Sequence, residues 1–460
     1  MLRIISLLLV FIVPQCINAQ PGMNNYKELW KKIEEAENKG LTQTANELAI
    51  KIYQQAEKDR NHPQVIKAAV YRIKYRNMVE EESEKTNHFF LDTLIGTSKA
   101  PARNILRSMQ AEQLWQFLQN NRWRYYNRTQ LVEEKTNDIL TWSIAKFHQT
   151  ISALYLESLN EAAVLKQTKT ELYDAVIEKG ENTRHLRPTV YDLLANRALD
   201  YFKNDERDIA KPAYAFKLAQ PEAFAPVNEF IAFAFKTKDT TSVHHKALLI
   251  YQELLAFHKN DAQPDALIDA DIDRLEFVHQ HSTLADKEKK YETALKAIED
   301  KYSASPASAQ AGYLRASLYN NRAQGYDPLT RTDNQYEYKR AKELCEAIAK
   351  KFPKSEGGIN SKNLLNGIKR PSLNLETELV NVPEQPFRVL VSYKNIPKLY
   401  FRFIKTTHDD LKQLNRRNDG NPWPKIIALK AVKTWETTLP DLGDFQTHHL
   451  EIKADALASG

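Results

Sequence analysis

The feature that most constrains this chain is a change of apolar period at Pro371. Upstream, apolar side chains recur about every 3.6 residues, as a helix with one buried face requires; from Phe387 onward they alternate, as a half-buried strand requires. Phe387, Val389, Val391 and Tyr393 share one strand face, Asn395-Ile396-Pro397 has the residues of a turn, and Leu399, Phe401 and Phe403 alternate on the way back. That pattern predicts a hairpin on a sheet with one buried face. A helical region over 20–368 is therefore expected to run into a β domain over 371–460.

At 460 residues, 42% hydrophobic and 27% charged, the chain can bury several cores, and length alone suggests about three domains. Its 65 basic and 59 acidic side chains leave +6, too little over this length to argue for nucleic acid or another polyanion as partner. Glycines number only 12, and no phosphate-cradling loop of the Walker or dinucleotide type is found, which sets nucleotide chemistry aside.

Arg3 precedes an apolar run over 4–13, and a polar, turn-prone stretch follows it to Ala19. This is the form of a secretory signal peptide over 1–19, cut between Ala19 and Gln20. The run is shorter than the roughly 20 apolar residues a bilayer span needs, and no other stretch approaches that length, so no transmembrane segment is expected in the mature chain. Cys16 raises the alternative of lipidation, for which Val13-Pro14-Gln15 is a poor lead-in. Removing the leader takes Cys16 with it and leaves Cys345 alone, so no internal disulfide is expected. Export without disulfides suits the periplasm, or the outer-membrane or cell surface, of a Gram-negative bacterium.

Within the helical region, Tyr26, Leu29, Trp30, Ile33 and Ala36 recur at helical spacing and Gly40 stops them; Thr42 is placed to cap a second helix carrying Ala45, Leu48, Ile52 and Ala56. Pro63 opens a third with Ile66, Ala69, Val70 and Ile73, and a long one starts at Ala102. Short loops between amphipathic helices predict antiparallel pairs. A repeat appears late: the helix from Tyr291 matches one from Ala341, with Tyr302 aligned to Phe352 and Ser305 to Ser355 at an offset of 50 residues, and a looser copy starts at Ala247. This resembles tetratricopeptide repeats with a longer, irregular period, and predicts a TPR-like α-solenoid. Beyond the hairpin, the runs at Ile426 to Leu429, at Lys433 to Leu439 and at Leu450 and Ile452 read as further strands of an antiparallel, immunoglobulin-like sandwich that lacks its last strand.

No catalytic, cofactor-binding or metal-binding residue is assigned. The groupings His244-His245, His258, His279 with His281, and His448-His449 lack the spacing that sets two ligands and a base on one helical face, and read as surface histidines. Asp269, Asp271 and Asp273 imitate a calcium loop, but Arg274 stands where its glycine belongs, so they read as a solvated helix face. Arg122 to Arg128, with Trp123, Tyr125 and Tyr126, could stack bases; packing of a helix end is the plainer reading. Asn127-Arg128-Thr129 has the form of a glycosylation acceptor. Cys345, inside an expected helix, reads as a buried thiol.

The segments YKELWKKIEEAENKGLTQTANELAIKIY, AEQLWQFLQNNRWRYYNRT, RPTVYDLLANRALDYF and FPKSEGGINSKNLL, followed by VPEQPFRVLVSYKNIPKLYFRFIK, together resemble the large alpha-2-macroglobulin-like proteins of the Bacteroidetes. The resemblance implies an opening macroglobulin (MG) domain at 371–460, and a non-catalytic scaffold portion of an exported endopeptidase inhibitor that works as a protease trap. Its partners would be proteins, among them proteases and downstream macroglobulin domains. Cys345-Glu346-Ala347-Ile348 does not match that family's Cys-Gly-Glu-Gln thioester, so no thioester is assigned in this chain. The alternative is an outer-membrane module of the TPR type that binds glycan or protein, which requires a lipidated Cys16 and an exposed aromatic platform.

Overall fold

A computed structural model gives the fold and describes residues 23–458 apart from 82, 126–137, 182, 205–213, 408, 411 and 413–420. The leader over 1–19, Tyr126, the acceptor at Asn127 and most of the polar stretch over 409–420 lie outside the described residues. The chain is mainly helical, with a small antiparallel β region toward its C-terminal end. It divides into two compact units, Met1–Leu218 with Ile231–Asn260, and Ala219–Phe230 with Asp261–Gly460.

The first unit contains α1 (Met23–Asn38), α2 (Thr42–Lys58), α3 (His62–Val79), α4 (Ser83–Thr97), α5 (Ala102–Tyr125), α6 (Ile144–Ser158), α7 (Ala162–Gln167) and α8 (Val190–Phe202). Gly40, at φ +69°, closes α1 so tightly that the Leu41 N–H reaches the Ala36 carbonyl at 2.9 Å. Leu41 consequently takes the cap position of α2, and Thr42, expected as the cap, is already helical. Pro63 sits in the first turn of α3, where Asn61 accepts the Gln64 N–H. Buried Ala45, Ala49, Ala56, Ala68 and Ala69 let α2 and α3 lie close, and α5 buries Leu106, Leu114 and Leu118 between α4 and α6. Val70, expected in the core, faces solvent. Thr189 and Asp192 form a reciprocal capping box at the start of α8. α9 (Val227–Ala232) spans the chain's return to this unit, which ends with α10 (Val243–His258).

The second unit contains α11 (Asp265–His281), α12 (Lys287–Lys301), α13 (Ala309–Ala323), α14 (Glu337–Lys351) and α15 (Glu356–Lys369). α12 and α14 start and stop 50 residues apart, at 287 and 337, then at 301 and 351, and end on Tyr302 and Phe352. Ser305 and Ser355 then each accept a backbone N–H, from Ala307 and Gly358. A β-carbon on Gly357 would lie 2.2 Å from the Ala309 carbonyl carbon, so α15 meets the start of α13 backbone to backbone.

Among the described residues five strands follow: β1 (Ser372–Thr377), β2 (Phe387–Lys394), β3 (Lys398–Phe403), β4 (Lys433–Thr438) and β5 (His448–Ala454). The hairpin expected between β2 and β3 does not form. β2 pairs with β1 and β5 in one sheet, while β3 pairs with β4 in another, all antiparallel. Asn395, at φ +54°, turns the chain out of the first sheet, and the Pro397 carbonyl accepts the Leu439 N–H at 2.9 Å. The two sheets share one apolar cluster, with Val389, Val391, Tyr393 and Ile452 from the first and Leu399, Phe401 and Phe403 from the second. The run at Ile426, expected as a strand, belongs to a helix, Trp423–Ala428: Asn421 accepts the Trp423 N–H, and Pro422 and Pro424 hold φ in the helical range. On β1, Leu373 and Leu375 stand opposite Tyr393 and Val391 and so face the same side as that core, yet they are 46% and 47% exposed.

The β region is joined to the last helices by the β4–β5 loop. Phe445, in the left-handed region at φ +61°, packs on the cluster of Tyr319, Ala341 and Ile368. Gln446, buried, donates to the carbonyls of Ala323 and Gln335 at 3.1 and 3.3 Å, and the Gln335 amide donates to Asp444 at 2.9 Å. From β2's end, the Asn395 amide donates to the Ile368 carbonyl at 2.8 Å.

Candidate binding groove

In the second unit a recess lies between the segment Ala219–Phe230 and helices α11 and α12. Its wall is fixed by one side chain. Arg274, 1% exposed, lies one helical turn after Asp271, and its Nη2 is 2.8 Å from that carboxylate. Nη1 donates to the carbonyls of Ala223 and Ala225 at 3.0 and 2.9 Å, and the guanidinium lies 4.4 Å from the Phe230 ring centre. Burial pushes the Asp271 carboxyl above its ordinary range, with Arg274 pulling the other way. A charge pair this deep gains its place by holding a loop whose carbonyls would otherwise be left dry.

The groove encloses about 490 Å³ over a floor of Phe224, Pro226, Leu275 and Ile298. Along α12 it is bounded by Thr293, Ala294 and Ala297, whose small side chains leave the helix surface open. Lys289, Lys290 and Lys301 stand around it with Asp286, which lies 3.3 Å from Lys290. Lys289 and Lys301, both exposed, have no ion pair among the described residues. The lining is thus an apolar trough with uncompensated positive charge, suited to holding a ligand with apolar and anionic parts.

In the first unit a wider cleft, about 1630 Å³, is lined by Trp30, Tyr71, Tyr173, Asp59 and Gln64. The Trp30 indole N–H donates to Gln64 at 2.6 Å, Tyr71 leans on the ring at 4.8 Å, and Lys67 lies 4.2 Å over it.

The residues singled out by sequence are dispersed. His258 is not at the surface: its Nε2 is 2.7 Å from Asp192, and both side chains are 2% exposed. His245 meets the Phe235 carbonyl at 2.7 Å, His279 stacks on Tyr291 at 4.3 Å, and His281 lies against Phe277 at 4.9 Å. His448 and His449 sit 2.8 Å from Asp444 and Ser392. Among the described residues, no group of three or more His, Cys, Asp or Glu side chains is placed to hold a metal ion. Asp271 is buried, contrary to the expected solvated face; Asp269 and Asp273 are half-buried. An alternation of acids along one helix looks like a wet face, but here the distant segment Ala219–Phe230, whose carbonyls Arg274 holds, packs beside it. Of the aromatic cluster at the end of α5, Tyr125 is buried and donates to the Ile139 carbonyl at 3.2 Å, while Trp123 is 73% exposed under Arg124. Cys345 is buried, and burial raises its thiol to about 11.

Among the described residues no helix is long and apolar enough to cross a membrane. No family model, curated protein or solved structure matches the chain.

Proposed function

We propose that the chain is a non-catalytic scaffold and interaction portion of an exported, macroglobulin-like endopeptidase inhibitor, built as a TPR-like solenoid followed by a β-sandwich. The observation that carries this reading is the joint between helices and strands. Phe445 and Gln446 insert from the β4–β5 loop into the end of the last helical repeat, so that repeat and strands are held as one piece. The strands themselves form two sheets over a shared core, as a sandwich requires. Helices α12 and α14 recur at a 50-residue offset, and the groove beside α12 is apolar and cationic, a chemistry of binding.

An outer-membrane glycan binder is the second reading, and the aromatic cleft of the first unit is its support. Lys67 lies over the Trp30 ring and Tyr71 leans against it, where a sugar ring would have to stack, which favours the scaffold.

The test is capture. The mature chain, passed over a panel of immobilised endopeptidases with blocked active sites, is expected to be retained by at least one and eluted by salt. Passage through the whole panel without retention contradicts the proposal.

A further inference from the structure

The groove beside α12 has a chemistry that names its occupant more closely. Lys289, Thr293, Ala297 and Lys301 follow one another at four-residue spacing, an oblique row on α12, and all four line the groove. Twelve residues of helix separate the two lysines by about 18 Å, the reach of about five or six residues of extended chain. Between them on that row stand Thr293 and Ala297, exposed short side chains that leave room for a backbone. Opposite stands the apolar floor of Phe224, Pro226 and Leu275, held in place by Arg274 before any ligand arrives.

The occupant must run the length of the trough, about 18 Å, with its backbone close to the small side chains at 293 and 297. An extended chain fits, with alternate side chains turned into the trough. The charges select among extended chains. The lining sets Arg274, Lys289, Lys290 and Lys301 against Asp271 and Asp286, so two positive charges are in excess, with the exposed Lys289 at one end and Lys301 at the other.

We infer that the groove between α12 and the segment Ala219–Phe230 binds an extended peptide whose apolar residues are flanked on both sides by carboxylates. This deepens the reading of the chain as a protein-binding scaffold and rests on it. Each flanking carboxylate meets one exposed lysine, while the apolar centre displaces water from the floor. Small side chains at 293, 294 and 297 admit the peptide backbone.

The test uses pools of fluorescent peptides carrying acidic flanks around randomised apolar centres, with fluorescence anisotropy as readout on the mature chain. Saturable binding is expected, falling at least tenfold in the Lys289→Glu, Lys301→Glu double variant and, separately, in Ala297→Trp, which fills the trough. All three substitutions sit at exposed positions of α12, and circular dichroism on each variant checks that the helices remain. Pools with lysine flanks should not bind, and added salt should weaken the acidic pools. Absence of saturation, equal binding by the variants, or equal binding of the lysine-flanked pools overturns the inference. If the pools fail while an immobilised endopeptidase still retains the chain, the groove assignment falls and the scaffold stands; pools that bind without any capture separate the two in the other direction.

Discussion

The side-chain amide of Gln446 donates to the main-chain carbonyl of Ala323, 3.1 Å away, and so ties the β4–β5 loop to the last residue of α13. The same amide reaches Gln335, and both acceptors lie in the helical repeat, so one side chain from the β region satisfies two helix-side carbonyls. Neighbouring Asp444 accepts from Gln335 and from the Gln446 N–H.

Replacing Gln446 by Ala leaves those carbonyls without their donor in a buried place. The expected cost is about 1–3 kcal/mol. Native-state hydrogen exchange is the measurement: amide protection should fall first around Phe445 to His448, ahead of the strand centres. Unchanged protection there would mean that the loop is not what fastens the β region.

Two glycines of α15 should respond in opposite directions. At Gly357 an added β-carbon meets the backbone of Ala309, which cannot step aside, so Gly357→Ala should destabilise by about 1–3 kcal/mol. At Gly367 nothing lies within 4 Å, and Ala should stabilise by about 0.5–1 kcal/mol through helix propensity. Thermal melts of the two variants, read against the unsubstituted chain, should bracket it.

His88 supplies a pH dependence whose sign follows from its burial. Among the described residues both ring nitrogens are buried without a hydrogen-bond partner, Trp142 lies 5.7 Å away, and burial lowers its pKa from 6.5 to about 4. A folded-state value below the unfolded one means that the neutral ring's contribution is present above about pH 6.5 and is lost as pH falls through about 4. Urea midpoints measured at neutral pH and near pH 4.5 should differ more for the natural chain than for His88→Phe, which has no proton to gain.

Cys345 should be silent toward thiol reagents while the chain is folded. Burial raises its thiol from 9.0 to about 11, so the neutral form's contribution is complete below about pH 9 and is lost as pH rises through about 11. An aromatic disulfide reagent should titrate one thiol at 345 only after denaturant is added, and methylamine should release none. A methylamine-dependent thiol in the folded chain would point to a thioester that the sequence around Cys345 does not provide.

Much of the helical part was legible because its signals are local. Gly40, Pro63 and the pair Tyr302 and Phe352 each mark a helix end by backbone preference or by apolar closure, and the bounds of α12 and α14 follow the 50-residue offset. The pairing of strands was not legible. An alternating run on either side of Asn395 has the same period whether the chain returns beside β2 or crosses to a second sheet, and the partner that decides it, β4, lies some thirty residues on. The run at Ile426 was too short to tell helix from strand, and the flanking prolines decided it. The groove was hidden for a further reason. Arg274 and Asp271 look like wet helical residues until the segment Ala219–Phe230, taken from another part of the chain, covers them.

The deciding measurement uses an active endopeptidase that the chain retains. The enzyme's hydrolysis of a small chromogenic peptide is followed with and without saturating chain, beside a control holding the chain alone. A non-catalytic interaction scaffold predicts that the complex forms, that the small substrate is still cleaved at close to the free enzyme's rate, and that the chain alone cleaves nothing. Loss of small-substrate hydrolysis on binding, or turnover by the chain itself, would contradict it.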